Sequence, residues 1–232
     1  LGAVSEIIQI PTARDASYTD LLANWFGSAS AILFVVAVRG KRLRLLSAVA
    51  ATTMLLWASL PLMSVSFGYL ERYYKLPVLF DFDMRFGDVF YRLRRSELTL
   101  RKSTGGGATV GIVQFGDGPW PGIFFDNLWP DWREYQAIVL EVSATEPGPV
   151  SVNIHIRDRT ARNSGGRTGS NRFESGFAVA PGVRTIRIPL ASIQYASGDT
   201  ELDLSNIAGI GLFATRKEAG RSFGLVSIRL EN

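Results

Sequence analysis

The chain has 232 residues, enough for one large domain or two small ones, and 47% of them are hydrophobic, which excludes an intrinsically disordered chain. It has no Cys and a single histidine, His155, so a cysteine nucleophile, a disulfide framework, a thiolate metal site and a multi-histidine metal site are excluded. The net charge of +4 arises from 25 Lys and Arg against 21 Asp and Glu, and it does not indicate a nucleic-acid partner.

The composition changes along the chain. Residues 1–77 hold 7 Lys and Arg, 4 Asp and Glu and 4 Gly, whereas residues 78–232 hold 18, 17 and 19. The first part is typical of a membrane segment and the second of a Gly-rich soluble domain, so we predict domains at 1–76 and 77–232. The chain begins with Leu and shows no signal-peptide pattern, which leads us to expect a piece of a longer protein.

Two charge-free stretches predict a helical transmembrane hairpin. They cover residues 21–38 and 45–70, and each approaches or exceeds the roughly 20 apolar residues that span a bilayer. Between them, residues 39–44 carry four cations in six positions. Short loops rich in Lys and Arg stay in the cytoplasm. We therefore expect a cell-membrane protein whose residues from about 77 onward are extracytoplasmic.

Polar groups border the first stretch, at Glu6, Gln9, Arg14, Asp20 and Asn24. Burying such groups in apolar surroundings costs several kcal/mol unless they pair, roughly 2–7 kcal/mol for a neutral group. Their order and spacing resemble the last part of the VanZ-like membrane family. That resemblance implies a role at the cell envelope, either through a functional membrane site or with the cluster only holding helices together.

From residue 78 onward the sequence predicts many short strands. Apolar and polar residues alternate in some segments, others are continuous apolar runs, and Gly and Pro pairs separate them. The clearest segments are 137–142, 150–156, 186–190, 207–213 and 226–230. No helical period of useful length occurs in this part. The pattern predicts a mainly β protein, an antiparallel β-sandwich or jelly roll.

The order of aromatic, Asp and Pro-Gly landmarks in this part resembles the galactose-binding-like jelly-roll modules that bind carbohydrate. The landmarks stand at 80–82, 120–123, 129–135, 154–158, 171–174, 181–190 and 202–207. The resemblance implies a carbohydrate-binding-module-like domain, which is also found C-terminal to VanZ-like domains. Such modules often carry a structural Ca²⁺, but no ligand set is legible here, so the metal site is unknown and no other cofactor is expected.

The candidate sugar contacts are aromatic rings and polar side chains. Aromatic rings stack on the apolar faces of sugars, while polar side chains bond the hydroxyls. Two of three closely spaced tryptophans are candidates, whereas Trp132 and Tyr135 are expected in the core. Asn153 and His155 share one face of a predicted strand, which is either a ligand surface or a solvated one. Asp158 and Arg172 flank the loop 159–170, where they pair with each other or with a hydroxyl. The set is Trp120, Trp129, Asn153, His155, Asp158 and Arg172.

These patterns predict a bacterial-type, membrane-anchored, non-catalytic protein that binds polysaccharide or cell-wall glycan. We predict no catalytic residue: the match to a hydrolase motif at 220–224 lacks a histidine after Ser222. Two alternatives stay open. One is an envelope module that docks a protein and binds no sugar. The other is a membrane-domain enzyme or resistance factor acting on envelope components.

Overall fold

A computed structural model describes residues 18–40, 44–102, 107–144, 148–159, 172–195 and 201–232. The chain forms two compact units, Leu1–Ser66 and Phe67–Asn232. We call the first the helical unit and the second the β-unit. The arrangement confirms the predicted fold class, a mainly β sandwich preceded by two long apolar helices.

Two helices begin in the helical unit: α1 (Tyr18–Arg39) and α2 (Arg44–Lys75). Both are long and apolar enough to cross a membrane by length and composition. Within this unit the Ser30 hydroxyl donates a 2.7 Å hydrogen bond to the Ala51 carbonyl, and the ring centroids of Phe26 and Trp57 lie 5.1 Å apart. Many of the apolar side chains of both helices are exposed, as expected for surfaces that face lipid.

The β-unit consists of two antiparallel sheets. The first sheet contains β1 (Val78–Asp81), β3 (Ser96–Lys102), β4 (Thr109–Phe115), β6 (Ala137–Ala144), β9 (Gly182–Pro189) and β11 (Ser222–Glu231). The second sheet contains β2 (Tyr91–Arg94), β5 (Gly122–Asp126), β7 (Val150–Asp158), β8 (Arg172–Val179) and β10 (Ile207–Phe213). These strands include four of the five segments that were predicted from the sequence, and the fifth, 186–190, except for its last residue.

Strand order places β11 at the centre of the first sheet and β10 at the centre of the second. The first sheet runs β3–β4–β11–β6–β9, with β1 pairing to β11, and the second runs β2–β5–β10–β7–β8. Every one of these pairings is antiparallel. The short helix α3 (Leu190–Gln194) interrupts the predicted strand 186–190, because the chain turns away from the sheet after Pro189.

The apolar core lies between the two sheets. Along β7 the residues from Val150 to Asp158 alternate between buried and more exposed positions, the period of a strand with one face on the core. Trp132 is completely buried, and its indole nitrogen donates a 2.7 Å hydrogen bond to the Trp129 carbonyl. The core role expected for Trp132 is thereby confirmed.

The last turns of α2 belong to the β-unit. The carboxylate of Glu71 accepts backbone hydrogen bonds from Arg85 and Phe86, at 3.0 and 3.3 Å. Arg72 is buried, with its guanidinium 3.5 Å from the centre of the Phe90 ring. Lys75 forms a 3.0 Å ion pair with Asp81. The units therefore divide after Ser66, ten residues before the change in composition on which the predicted boundary rests.

Candidate binding site on the second sheet

Glycines in the central strand of the second sheet shape its outer face, the face turned away from the core. Gly211 of β10 pairs with Phe124 of β5 on one side and with His155 of β7 on the other. A Cβ atom at position 211 would lie 2.7 Å from the Phe124 ring and 2.8 Å from the His155 ring. Because glycine leaves this space empty, side chains from both neighbouring strands converge over β10.

Three rings form the floor of the site. The ring centroids of Phe124 and His155 are 5.6 Å apart, and those of His155 and Phe213 are 5.5 Å apart. The rings of Phe124 and Phe213 are nearly parallel, 6.4 Å apart at an angle of 11°. Both phenylalanines are almost fully buried. The floor therefore presents a small apolar surface with one imidazole at its side.

Trp120 stands at the edge of this floor in an unusual backbone conformation. It lies in the loop before β5 with a φ of 52°, the left-handed region that residues with side chains rarely adopt. The side chain is 55% exposed, although tryptophan is usually well buried. The guanidinium of Arg94 lies 5.6 Å from the ring centre. An exposed ring next to a charged side chain is suited to stacking on an apolar ligand surface.

A cavity of about 210 Å³ opens over the floor. Its lining combines aromatic and charged side chains: Arg94, Trp120, Phe124, His155, Arg172, Glu174 and Phe213. On the β8 side, Arg172 and Glu174 are 3.8 Å apart and both are exposed. An apolar floor with hydrogen-bonding groups at the rim is the arrangement that recognises a small polar unit such as a sugar ring.

His155 is neutral at physiological pH. Burial lowers its pKa from 6.5 to about 4, and the positive charges of Arg157 and Arg172 add to this effect. Its ring nitrogens form no hydrogen bond with any residue in the described ranges. A neutral imidazole carries one donor and one acceptor, so this ring can bond a hydroxyl in either role.

A cluster of charges lies beside the cavity on the same face. The carboxylate of Asp126 accepts hydrogen bonds from Arg157 at 2.6 Å and from Arg92 at 2.9 Å. The Arg92 guanidinium also lies 5.6 Å from the centre of the Phe124 ring. The cluster links β2, β5 and β7 through side-chain hydrogen bonds and borders the aromatic floor.

The structure brings together three of the six predicted sugar contacts, Trp120, His155 and Arg172, at the cavity. Asn153 lies on the same face of β7, opposite Phe213 and Gly176, but outside the cavity lining.

The other two predicted contacts lie elsewhere. Trp129 is partly buried and packs against the core, with its ring 5.9 Å from that of Tyr73. Asp158 is completely buried, and its carboxylate accepts a hydrogen bond from the backbone of Asp203 at 3.1 Å. Asp158 therefore supports the loop that precedes β10 and lies outside the cavity lining, and its contact with sugar stays a prediction.

The predicted membrane polar cluster falls mostly outside the described residues: Glu6, Gln9, Arg14 and the side chain of Asp20 lie there. Asn24 is exposed on α1, and its backbone carbonyl accepts a hydrogen bond from the Ser28 hydroxyl. Within the described ranges, no group of three or more Asp, Glu or His side chains is placed to hold a metal ion.

Sequence reasoning missed four residues of the cavity: Arg94, Phe124, Glu174 and Phe213. The phenylalanines belong to continuous apolar runs in which no alternation marks an outward position. A signal was present in β10, where Gly209 and Gly211 alternate with Ile210 and Leu212. Such spacing leaves one face of the strand without side chains and predicts that neighbouring residues fill it.

A larger cleft of about 710 Å³ lies next to the loop between β2 and β3. Its lining includes Arg95, Glu97 and Asp117. The aromatic residue in that lining, Phe115, is completely buried. A sugar face would find no ring to stack on there, so we assign the candidate site to the smaller aromatic cavity.

The β-unit is similar in fold to a family 11 carbohydrate-binding module from Clostridium thermocellum, whose structure contains a β-1,3-1,4-mixed-linked tetrasaccharide. The sequences are 16% identical, the match covers 67% of this chain and 94% of the module, and the TM-score is 0.51. The β-unit thus has a carbohydrate-binding-module-like fold.

Parts of two agarases share this fold. An exo-β-agarase is 14% identical over 66% of this chain and 24% of its own, with a TM-score of 0.53. A second agarase is 17% identical over 67% of this chain and 26% of its own, with a TM-score of 0.51. No protein-family model and no curated protein sequence matches the chain. The resemblance of the N-terminal residues to the VanZ-like family therefore stays a prediction.

Proposed function

We propose that the chain is a membrane-anchored, non-catalytic carbohydrate-binding protein whose sugar site is the aromatic cavity on the second sheet. The observation that carries the proposal is the exposed Trp120 ring above a floor of Phe124 and Phe213. Apolar CH faces of a sugar stack on such rings, and His155 is placed to bond a hydroxyl. The fold of the family 11 module, whose structure contains a tetrasaccharide, supports the same class of ligand.

Anchoring rests on the two apolar helices. Both are long enough to span a bilayer, and their exposed apolar side chains would be covered by lipid. The four cations between them favour a connecting loop in the cytoplasm and a β-unit on the other side of the membrane. With the VanZ-like resemblance, this favours a role at the cell envelope, where the β-unit holds polysaccharide or cell-wall glycan close to the membrane.

The proposal is tested by calorimetric titration of the full chain with soluble glycans. The chain is placed in phosphatidylcholine nanodiscs, because a detergent with a sugar head group would compete for the site. We expect saturable binding of at least one glycan, and we expect Trp120→Ala to weaken it about tenfold, which corresponds to about 1.4 kcal/mol. The matched control is Tyr195→Ala, which removes another aromatic side chain, 62% exposed and outside the cavity.

A folded chain that binds none of the wall, capsule and storage glycans tested would overturn the proposal. Equal weakening by Trp120→Ala and Tyr195→Ala would overturn the assignment of the site. Circular dichroism of each variant establishes that the β-unit is folded before its affinity is compared.

A further inference from the structure

Positive charge is concentrated on the outer face of the second sheet. On this face the strands carry four arginines against two carboxylates: Arg92, Arg94, Arg157 and Arg172 with Asp126 and Glu174. Over residues 78–232 the charges nearly cancel, at 18 Lys and Arg against 17 Asp and Glu. The excess on this face is therefore a local feature and does not follow from the composition of the domain.

The acidic residues of the face do not neutralise it. Asp126 is shared between Arg92 and Arg157, so one negative charge faces two positive charges. The buried Nε of Arg157 has no hydrogen-bond partner among the described residues. The ion pair of Arg172 with Glu174 is long, at 3.8 Å, and both side chains are exposed. Exposed pairs of this kind are weak and rearrange at little cost.

Arg94 is the arginine best placed to meet a ligand. It is exposed, it lines the cavity, and its guanidinium lies over the Trp120 ring. It forms no ion pair with a carboxylate in the described parts of the chain. A guanidinium held against an aromatic face keeps its edge donors directed outward, where they can bond a carboxylate through two parallel hydrogen bonds.

We propose that the ligand of this cavity is an acidic polysaccharide that carries carboxylates on its sugar rings, and that Arg94 beside Trp120 selects the charged form. This inference rests on the proposed function. A uronic acid unit offers both surfaces that the site matches, an apolar ring face for Trp120 and a carboxylate for the guanidinium. Because His155 is neutral, the attraction comes from arginines and is the same from pH 6 to pH 9.

The test compares one polymer in two charge states. The full chain in phosphatidylcholine nanodiscs is titrated with oligomers of polygalacturonate, alginate and hyaluronan, and with the same oligomers after methyl esterification of their carboxyl groups. We expect at least tenfold tighter binding of one charged oligomer than of its ester in 20 mM NaCl, and a smaller ratio in 500 mM NaCl. Arg94→Gln should remove most of the preference.

The matched control is Arg184→Gln, which removes an exposed arginine from β9 of the first sheet. We expect it to leave the preference for the charged oligomer unchanged.

Each other outcome has a definite meaning. If neutral glucans or esters bind as tightly as the charged oligomers and Trp120→Ala weakens them, the acidic class is overturned while the proposed function stands. Binding confined to dextran sulfate overturns the carboxylate assignment. If no glycan binds, or the chain binds only phosphatidylglycerol vesicles added in solution and does so through Arg94, both this inference and the proposed function are overturned.

Discussion

At the scale of single residues, the site keeps one residue in a backbone conformation that costs free energy. The left-handed backbone of Trp120 is disfavoured by about 1–2 kcal/mol for a residue with a side chain. The same backbone leaves more than half of the ring in solvent, so neither conformation nor burial stabilises this residue. The surrounding loop fixes the ring at the mouth of the cavity, as expected where strain supports binding.

Two substitutions distinguish the contribution of the Trp120 ring from that of its backbone strain. Trp120→Ala removes the ring and keeps the disfavoured φ, whereas Trp120→Gly removes both. We expect the Gly variant to unfold about 2–4 °C above the Ala variant, which corresponds to about 1 kcal/mol in a domain of this size. Both variants should lose glycan affinity equally. Thermal unfolding followed by near-ultraviolet circular dichroism measures the difference, and equal melting temperatures would show that the strain is absent.

His155 makes the stability of the β-unit depend on pH. Its folded pKa of about 4 lies below the value of about 6.5 for the unfolded chain, so the unfolded state binds more protons between these values. The free energy of unfolding therefore falls as the pH drops from about 6.5 to about 4. Well above pH 6.5 the ring is neutral in both states and this contribution is constant.

The corresponding variant is His155→Gln, which does not titrate. We expect the difference in unfolding free energy between the native chain and this variant to change by as much as about 3 kcal/mol between pH 6.5 and pH 4. Chemical unfolding at several pH values measures it. Parallel pH profiles for the two proteins would contradict the buried, neutral state of the ring.

At the scale of elements, β10 decides the shape of the site. The sequence predicted this strand from its apolar run at 207–213, and the structure confirms it. The alternation of Gly209 and Gly211 in this run indicates that one side of the strand carries no side chains, but it does not indicate that Phe124 and His155 meet above that side. The position of the floor follows from pairing across three strands, which one sequence does not specify.

Adding a methyl group to β10 should therefore damage the site. The new Cβ of Gly211→Ala would meet two rings at 2.7–2.8 Å, and we expect a loss of about 1–3 kcal/mol in stability together with a loss of glycan binding. Gly176→Ala on β8 is the matched control, since its Cβ would approach only the end of the Asn153 side chain, at 3.0 Å. Unfolding and titration of both variants make the comparison, and equal effects would contradict the role of Gly211.

The predicted contacts show where sequence patterns are informative. Alternation along 150–156 placed Asn153 and His155 on one face correctly, because a strand with one buried side has a strict period of two. Asp158 ends the same strand, and its place beside the loop 159–170 suggested a pair with Arg172 or with a sugar hydroxyl. The structure buries it to bond the backbone of Asp203, a contact 45 residues away in sequence that no local pattern encodes.

At the scale of the whole molecule, the hydropathy of the chain predicted the two helices, because a charge-free run of 18 or more residues is typical of a long apolar helix. It did not predict where the second helix ends. Residues 67–75 continue α2 with Tyr, Glu, Arg and Lys, a composition that resembles a linker, yet they pack within the β-unit. The change in composition after residue 77 reflects a change from apolar to polar residues, whereas the division into units after Ser66 reflects packing contacts.

The sidedness of the protein can be tested directly, because the chain has no native Cys. We expect a membrane-impermeant maleimide added to intact cells to label Thr99→Cys, an exposed position on β3, and to spare Lys41→Cys in the basic loop. Permeabilised cells should label both. Labelling of Lys41→Cys but not Thr99→Cys in intact cells would show that the β-unit faces the cytoplasm.

The end of α2 also has a mechanical consequence for the proposed function of holding a polymer. A load on the second sheet reaches the end of this helix through three side chains from about one turn, Glu71, Arg72 and Lys75, and not through one peptide bond alone. The helix can therefore carry torque as well as tension. A pulling force on the second sheet would twist the helix as well as stretch it.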